Sequence, residues 1–299
     1  MKPLLLCLED NQLIEGFFFI RYSEGGPHIR LRLATLTQDE AVSLKPLLCS
    51  HFEAYFGELP RSSAEESEVS ARAVYSPDSV QFIDYLPEEK RYGGSNAILI
   101  AEDQFELSSR VVLSILTSRP DISYEEVLGR AIQLHLGFVA GLEFDTGEAL
   151  TFYSWMNKAW LAKAAEVLDG TSNEERTRNA FELKFRELGP TLIPTVVNCW
   201  ELFRTGRRFD HDYLLRWVTG MRSIGERLGK AVSSHQIISP VESLHDPQID
   251  NDKTRLTLWP ILGSYVHMTN NRLGIHSWDE AFLAYLISRC LAGVSREPI

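Results

Sequence analysis

The chain has 299 residues, enough for one large domain or two ordinary ones and for a real hydrophobic core. Hydrophobic residues at 44% and charged residues at 24% are the proportions of a soluble globular protein and exclude wholesale disorder. The formal net charge of −11 excludes a general binder of phosphate backbones, because that affinity comes from basic patches; a local basic pocket in so acidic a chain points to a small anion.

The opening "MKPLLLCLEDNQ" has an apolar run too short for a signal peptide, and no run approaches the ~20 residues that span a bilayer. Phe17–Tyr22 and His28–Ala34 then read as two strands joined by "SEGGP", a turn of glycines and a proline, which predicts an antiparallel hairpin. The second strand alternates without a miss: His28, Arg30 and Arg32 on one parity, Ile29, Leu31 and Leu33 on the other. Residues two apart on a strand lie ~6.5–7 Å apart, close enough for two guanidiniums to grip one carboxylate. Two fixed positive charges repel, so a structural carboxylate or an anionic substrate belongs beside them. The alternative is a solvent-facing edge. If the pair forms a site, His28, Arg30 and Arg32 line a concavity and the three apolar residues are buried behind.

Thr37-Gln-Asp-Glu40 is a capping box opening a helix towards Phe56, with Pro46 as a candidate kink. The polar stretch from Pro60 reads as an exposed loop, and Val80–Tyr85 as another strand. "PEEKRYGG" follows, charged and closing on two glycines. Beyond it the pattern turns helical, first through "SNAILIAEDQFELSSRVVLSILTS". Ser123-Tyr-Glu-Glu126, Ser172-Asn-Glu-Glu175 and Ser277-Trp-Asp-Glu280 are three further capping boxes, and the Pro/Asp-rich run from Pro240 connects two helices. The predicted fold class is α+β: an N-terminal antiparallel β-sheet with a helix-rich C-terminal part. The expected organisation is one domain over 1–299, sheet-rich over 1–94 and helix-rich over 95–299. No internal repeat occurs, and no strand–Gly-rich-loop–helix unit supports a Rossmann or P-loop reading.

Three stretches concentrate reactive side chains. The arginine strand is the first. The second holds Glu88 and Arg91, whose spacing of three suits an ion pair on one helical turn; Glu88 is alternatively the counter-charge to Arg30 or Arg32. Gly93 and Gly94 admit a backbone close to a ligand. The third is "HMTNNRLG", in which His267 and Asn271 share a helix face and Gly274 is a natural C′ residue. Each stretch also has an ordinary surface or packing reading. The other histidines, His51, His135, His211, His235, His245 and His276, form no HxxxH or HExxH pair, so no metal is predicted. Cys7, Cys49, Cys199 and Cys290 are scattered, which signals neither a zinc site nor a disulfide framework and fits a reducing cytoplasm. There is no GxSxG elbow, and the six tryptophans read as core.

Taken together, "FFFIRYSEGGPHIRLRL", "YLPEEKRYGG" followed by "AEDQFELSS", and "HMTNNRLGI" before "AYLISR" resemble the C-terminal domain of class I lantibiotic dehydratases, which also occurs alone as the thiopeptide-type bacteriocin biosynthesis protein. The order of motifs matches; residues 119–253 carry none. The resemblance implies elimination of glutamate from glutamylated Ser or Thr of a precursor peptide, leaving dehydroalanine or dehydrobutyrine. It implies catalytic roles for Arg30, Arg32, Glu88, Arg91 and His267, with His28, Tyr92, Asn271 and Arg272 as substrate contacts and no cofactor. Its partners are then the glutamylated peptide and a separate glutamylating subunit, with no direct tRNA binding and no membrane. A homo-oligomer is open. Two alternatives stand beside elimination: a formal [4+2] cycloaddition that forms the pyridine core of thiopeptides, and a non-catalytic partner of a glutamylating protein. If His267 acts with the arginines, the fold must bring its ring to their pocket.

Overall fold

A computed structural model describes residues 1–58, 78–119, 121–169, 174–206, 209, 211–238, 240 and 253–294. Two units divide the chain, Met1–Pro87 and Glu88–Ile299. The polar run from Pro60, Ser172 with its capping box, and the Pro/Asp-rich run beyond Pro240 lie outside the described residues.

The first unit opens with a helix that sequence reading left unassigned, α1 (Lys2–Asp10), burying Leu4, Leu5 and Leu8. The hairpin follows as β1 (Gly16–Tyr22) and β2 (His28–Ala34), antiparallel, with Phe17 opposite Leu33, Phe19 opposite Leu31 and Tyr22 opposite His28. Gly25 and Gly26 take φ of 77° and 110°, which the turn requires and L side chains resist. The register puts Phe17, Phe19, Ile29, Leu31 and Leu33 on one face, and Phe18, Ile20, Tyr22, His28, Arg30 and Arg32 on the other. Burial is uneven on the apolar face. Phe17 and Phe19 are buried, Leu31 and Leu33 half-buried, and Ile29, at the hairpin tip opposite Arg21, is 54% exposed. The expected burial behind the arginines therefore fails at Ile29.

Thr37 and Glu40 form the expected capping box, exchanging backbone-to-side-chain hydrogen bonds of 2.9 and 3.2 Å, and α2 (Gln38–Glu58) continues through Pro46. Val80–Tyr85 is not a strand. It has strand composition but forms no ladder with either strand; its side chains make contacts that include Tyr85 edge-on to Phe18 and Lys45 over Phe82. Among the described residues the sheet has two strands.

The second unit is helical: α3 (Glu89–Tyr92), α4 (Ser95–Leu116), α5 (Tyr124–Gly141), α6 (Thr146–Asp169), α7 (Glu174–Thr205), α8 (Asp212–Ser233), α9 (Lys253–Leu273) and α10 (Ser277–Val294). The Ser123 capping box starts α5 as expected. Helix α10 packs along α6, α8 along α4 and α5, and α9 against α4 and α5. The α5/α8 approach is close enough that a Cβ on Gly141 would lie 2.7 Å from Met221 Cβ and 2.8 Å from the Val218 carbonyl oxygen. Aromatic rings fill the interior, Phe138, Phe152, Trp155, Trp217 and Trp259 in one contiguous group.

Helix α9 explains the site. From Leu258 to Gly274 it is buried except at Leu258, Pro260, Ser264, His267, Asn271 and Gly274. From Pro260 onward the spacings are four, three, four and three, which is one face of a helix. The other faces carry polar groups into the core, and these bond to α4 and α5. Gln104 Nε2 donates to Thr269 Oγ1 (3.4 Å), His135 Nε2 meets Asn270 Oδ1 (2.9 Å), and Arg272 Nε donates to Ser109 Oγ (3.0 Å). Gly274, at φ 81°, ends the helix as expected, with Ile275 N–H on the Asn270 carbonyl and Gly274 N–H on that of Asn271, both 3.0 Å.

Candidate active site

The exposed stripe of α9 forms one wall of a cavity of about 200 Å³ lined by Arg91, Trp160, Pro260, Gly263, Ser264, His267, Ser277 and Glu280. Arg91 reaches it from the four-residue helix α3, which opens on Glu88 and closes on Gly93 in the left-handed region. That conformation needs glycine, and space does too: a Cβ there would lie 2.9 Å from both Ile237 and Ile261. Trp160 comes from α6, Ser277 and Glu280 from the first turn of α10.

His267 Nδ1 lies 3.0 Å from both carboxylate oxygens of Glu280. The Glu280 side chain is 6% exposed and that of His267 30%. With Nδ1 held in this way, Nε2 is the nitrogen left for a ligand. Trp160 meets the imidazole edge-on at 6.3 Å between ring centroids. Arg91 pairs with Glu88, Nη1 to Oε2 3.3 Å, and its Nε donates to Ser264 Oγ at 3.4 Å. Glu88 thus serves Arg91, the first of its two expected roles. A cation and a half-exposed imidazole backed by a buried carboxylate face one small cavity. Such a set can take a proton from carbon and stabilise the charge left behind.

The arginine strand lies in the first unit. His28 Nδ1 donates to the Gly26 carbonyl (2.8 Å), so its Nε2 accepts from Arg30 Nε (3.1 Å). The Arg30 guanidinium sits 3.5 Å over the Tyr22 ring, and that of Arg32 lies 5.4 Å from the Tyr85 ring centroid. Burial, then the Arg30 charge, lowers the pKa of Arg32, while Tyr85 and Tyr22 act in the opposite sense. Among the described residues no carboxylate is within ion-pair distance of Arg30 or Arg32. The geometry is that of two cations, Arg30 held over the Tyr22 ring and against the His28 imidazole, and Arg32 near the Tyr85 ring.

The remaining candidates divide. Tyr92 is 2% exposed, stacked on Tyr265 and edge-on to Phe105, and Arg272 is fully buried beside Ser109, so both sit in the core and neither lines the cavity. Burial also lowers the Arg272 pKa to about 9. Asn271 is half-buried, one turn beyond His267 on the same stripe. Sequence reading missed Trp160, Ser264, Ser277 and above all Glu280. The Ser277–Glu280 spacing predicts a capping box. Instead α10 begins at Ser277, the Glu280 N–H bonds the His276 carbonyl (3.0 Å), and its carboxylate turns inward to His267. Among the described residues no group of three or more His, Cys, Asp and Glu side chains is placed to hold a metal, and no helix is long and apolar enough to cross a membrane.

The chain is a mostly helical α+β protein with a small antiparallel hairpin in its first unit and a His–Glu pair on a cavity in its second. The chain belongs to the lantibiotic biosynthesis dehydratase C-terminal family, whose model matches residues 1–291. It is 22% identical over 284 residues to the epidermin biosynthesis protein EpiB of Staphylococcus epidermidis, a match covering 95% of this chain and 23% of that protein's length. Among solved structures it is similar to TsrL (17% identity, TM-score 0.67, 99% of this chain and 89% of that one). It is also similar to TbtD, the pyridine synthase from thiomuracin biosynthesis (17%, 0.68, 96% and 94%). A third is the tRNA-dependent lantibiotic dehydratase MibB from Microbispora sp. 107891 (19%, 0.59, 99% and 27%). At these identities the structures establish a shared fold.

Proposed function

We propose that this chain eliminates glutamate from glutamylated Ser or Thr residues of a precursor peptide, leaving dehydroalanine or dehydrobutyrine. The observation that carries the reading is the cavity shared by Arg91 and the His267–Glu280 pair. His267 Nε2 takes the Cα proton of the modified residue, the Cα–H electron pair forms the Cα=Cβ bond, and the Cβ–O bond breaks to release glutamate as a carboxylate. Arg91, steadied by Glu88, stabilises the negative charge that develops on the neighbouring carbonyl. Arg30 and Arg32 are assigned the carboxylates of the departing glutamate. This chemistry draws on no redox or metal cofactor. The glutamylation and tRNA steps are assigned to a glutamylating partner rather than to these residues, in keeping with their −11 charge.

A second reading, formal [4+2] cycloaddition, draws on the likeness to the pyridine synthase TbtD over 96% of this chain and 94% of that one. One experiment separates the two. The protein is incubated with a synthetic glutamylated peptide and, in parallel, with an azole-bearing peptide containing two dehydroalanines. Mass spectrometry follows glutamate loss in the first and ring formation in the second. Glutamate loss supports elimination; ring formation without glutamate loss replaces it with cycloaddition. Turnover of neither, with stimulation of a glutamylating partner, makes the chain a non-catalytic subunit.

A further inference from the structure

We infer that Glu280 is the positioning residue that fixes the proton of His267 on Nδ1 and thereby aims Nε2 into the cavity as the base. The assignment of a base rests on the elimination reading; the tautomer does not.

A carboxylate is not buried for stability. Desolvating it is unfavourable, and one ion pair seldom offsets that in full. Glu280 is nonetheless 5% exposed, on the first turn of α10, and both its oxygens converge at 3.0 Å on one nitrogen of one ring. Its neighbours do not claim it. Tyr124 donates its hydroxyl to Asp279 (2.8 Å), and the Lys184 ammonium also turns to Asp279 (3.6 Å). The imidazole is the group the carboxylate serves. Two acceptor oxygens facing Nδ1 require a hydrogen there, so the neutral ring carries Nδ1–H and presents the Nε2 lone pair. When Nε2 takes a proton, the ring becomes a cation beside a fixed anion already in place. Glu280 touches His267 and acts through it. The same contact ties α10 to α9, so the stripe that bears His267 is held from behind.

The test uses Glu280→Gln and Glu280→Asp in the full chain. In long-range ¹⁵N spectra of the ring nitrogens, with the His267 signals identified by their loss in His267→Ala, neutral wild-type His267 shows protonated Nδ1. Glu280→Gln offers an amide N–H to Nδ1 and converts the ring at least in part to the Nε2–H tautomer; Glu280→Asp keeps Nδ1–H. With glutamylated peptide, Glu280→Gln lowers kcat roughly a hundredfold at nearly constant KM, and Glu280→Asp recovers part of the loss. An Nε2–H ring in wild type, or a Glu280→Gln protein with the wild-type tautomer and kcat, overturns the inference. The wild-type spectrum decides this even where the glutamine variant does not fold. A wild-type protein that shows Nδ1–H but releases no glutamate overturns the elimination reading and leaves the positioning role standing.

Discussion

His135 gives the pair of buried helices α5 and α9 a measurable dependence on pH. Its imidazole is 2% exposed, stacked on Tyr153 and held through Nε2 by Asn270 Oδ1 at 2.9 Å; burial lowers its pKa to about 4. In the unfolded chain the ring titrates near 6.5. Between those two values the unfolded state binds more protons than the folded one, so stability is complete above the unfolded pKa and falls as pH drops towards the folded one. The full difference amounts to roughly 3 kcal/mol, of which about 2 kcal/mol falls between pH ~7.5 and pH ~5. Glu182, held down to about 2 by hydrogen bonds from Tyr285 and then Arg289, stays ionised across this window. Urea unfolding of wild type and His135→Gln at the two pH values isolates the contribution. The glutamine amide can donate to Asn270 in place of Nε2–H, and any packing loss is common to both pH values and cancels. The variant should lose about 2 kcal/mol less than wild type on acidification. Equal losses in the two proteins would refute the burial of a neutral His135.

His267→Ala should lower stability, because it leaves the buried Glu280 carboxylate without its partner, but the protein that remains folded should eliminate glutamate roughly a hundredfold or more slowly, so that glutamylated peptide accumulates in mass spectra. Arg32→Lys retains the charge but loses the planar fork, and kcat/KM for the glutamylated peptide should fall about ten- to hundredfold; an unchanged value would refute the role proposed for Arg32. Gly141→Ala drives a methyl into the Val218 carbonyl, 2.8 Å away, and should cost ~1–3 kcal/mol in thermal or urea unfolding without altering ligand contacts.

What sequence reading recovered was local. Alternation fixed the hairpin and its faces, the glycines fixed its turn, and Thr37–Glu40 and Ser123–Glu126 formed the boxes their spacing predicted. Each of these depends on residues close in sequence, the hairpin's two strands being joined by one short turn. Val80–Tyr85 failed because strand composition describes a half-buried pleated surface, and only a partner ladder makes the strand; here Tyr85 and Phe82 pack through side chains instead. Ser277–Glu280 failed for a similar reason. The local option of capping competed with a tertiary one, and a histidine thirteen residues back took the carboxylate.

The motif "HMTNNRLG" shows why composition alone could not sort its polar residues into those that meet ligand and those that hold the fold. A helix buried on nearly all sides must satisfy whatever polar groups it carries inward. Thr269, Asn270 and Arg272 point away from the exposed stripe and are taken up by Gln104, His135 and Ser109 on α4 and α5. These bonds fix the rotation of α9 about its axis. A turn of 100° between successive residues then leaves His267 on the face that lines the cavity, with Asn271 next along the stripe. Rotating α9 to expose Arg272 would break three interhelical hydrogen bonds and bury the imidazole. The two polar sets of the motif therefore do different work: one orients the helix, and the other meets the cavity.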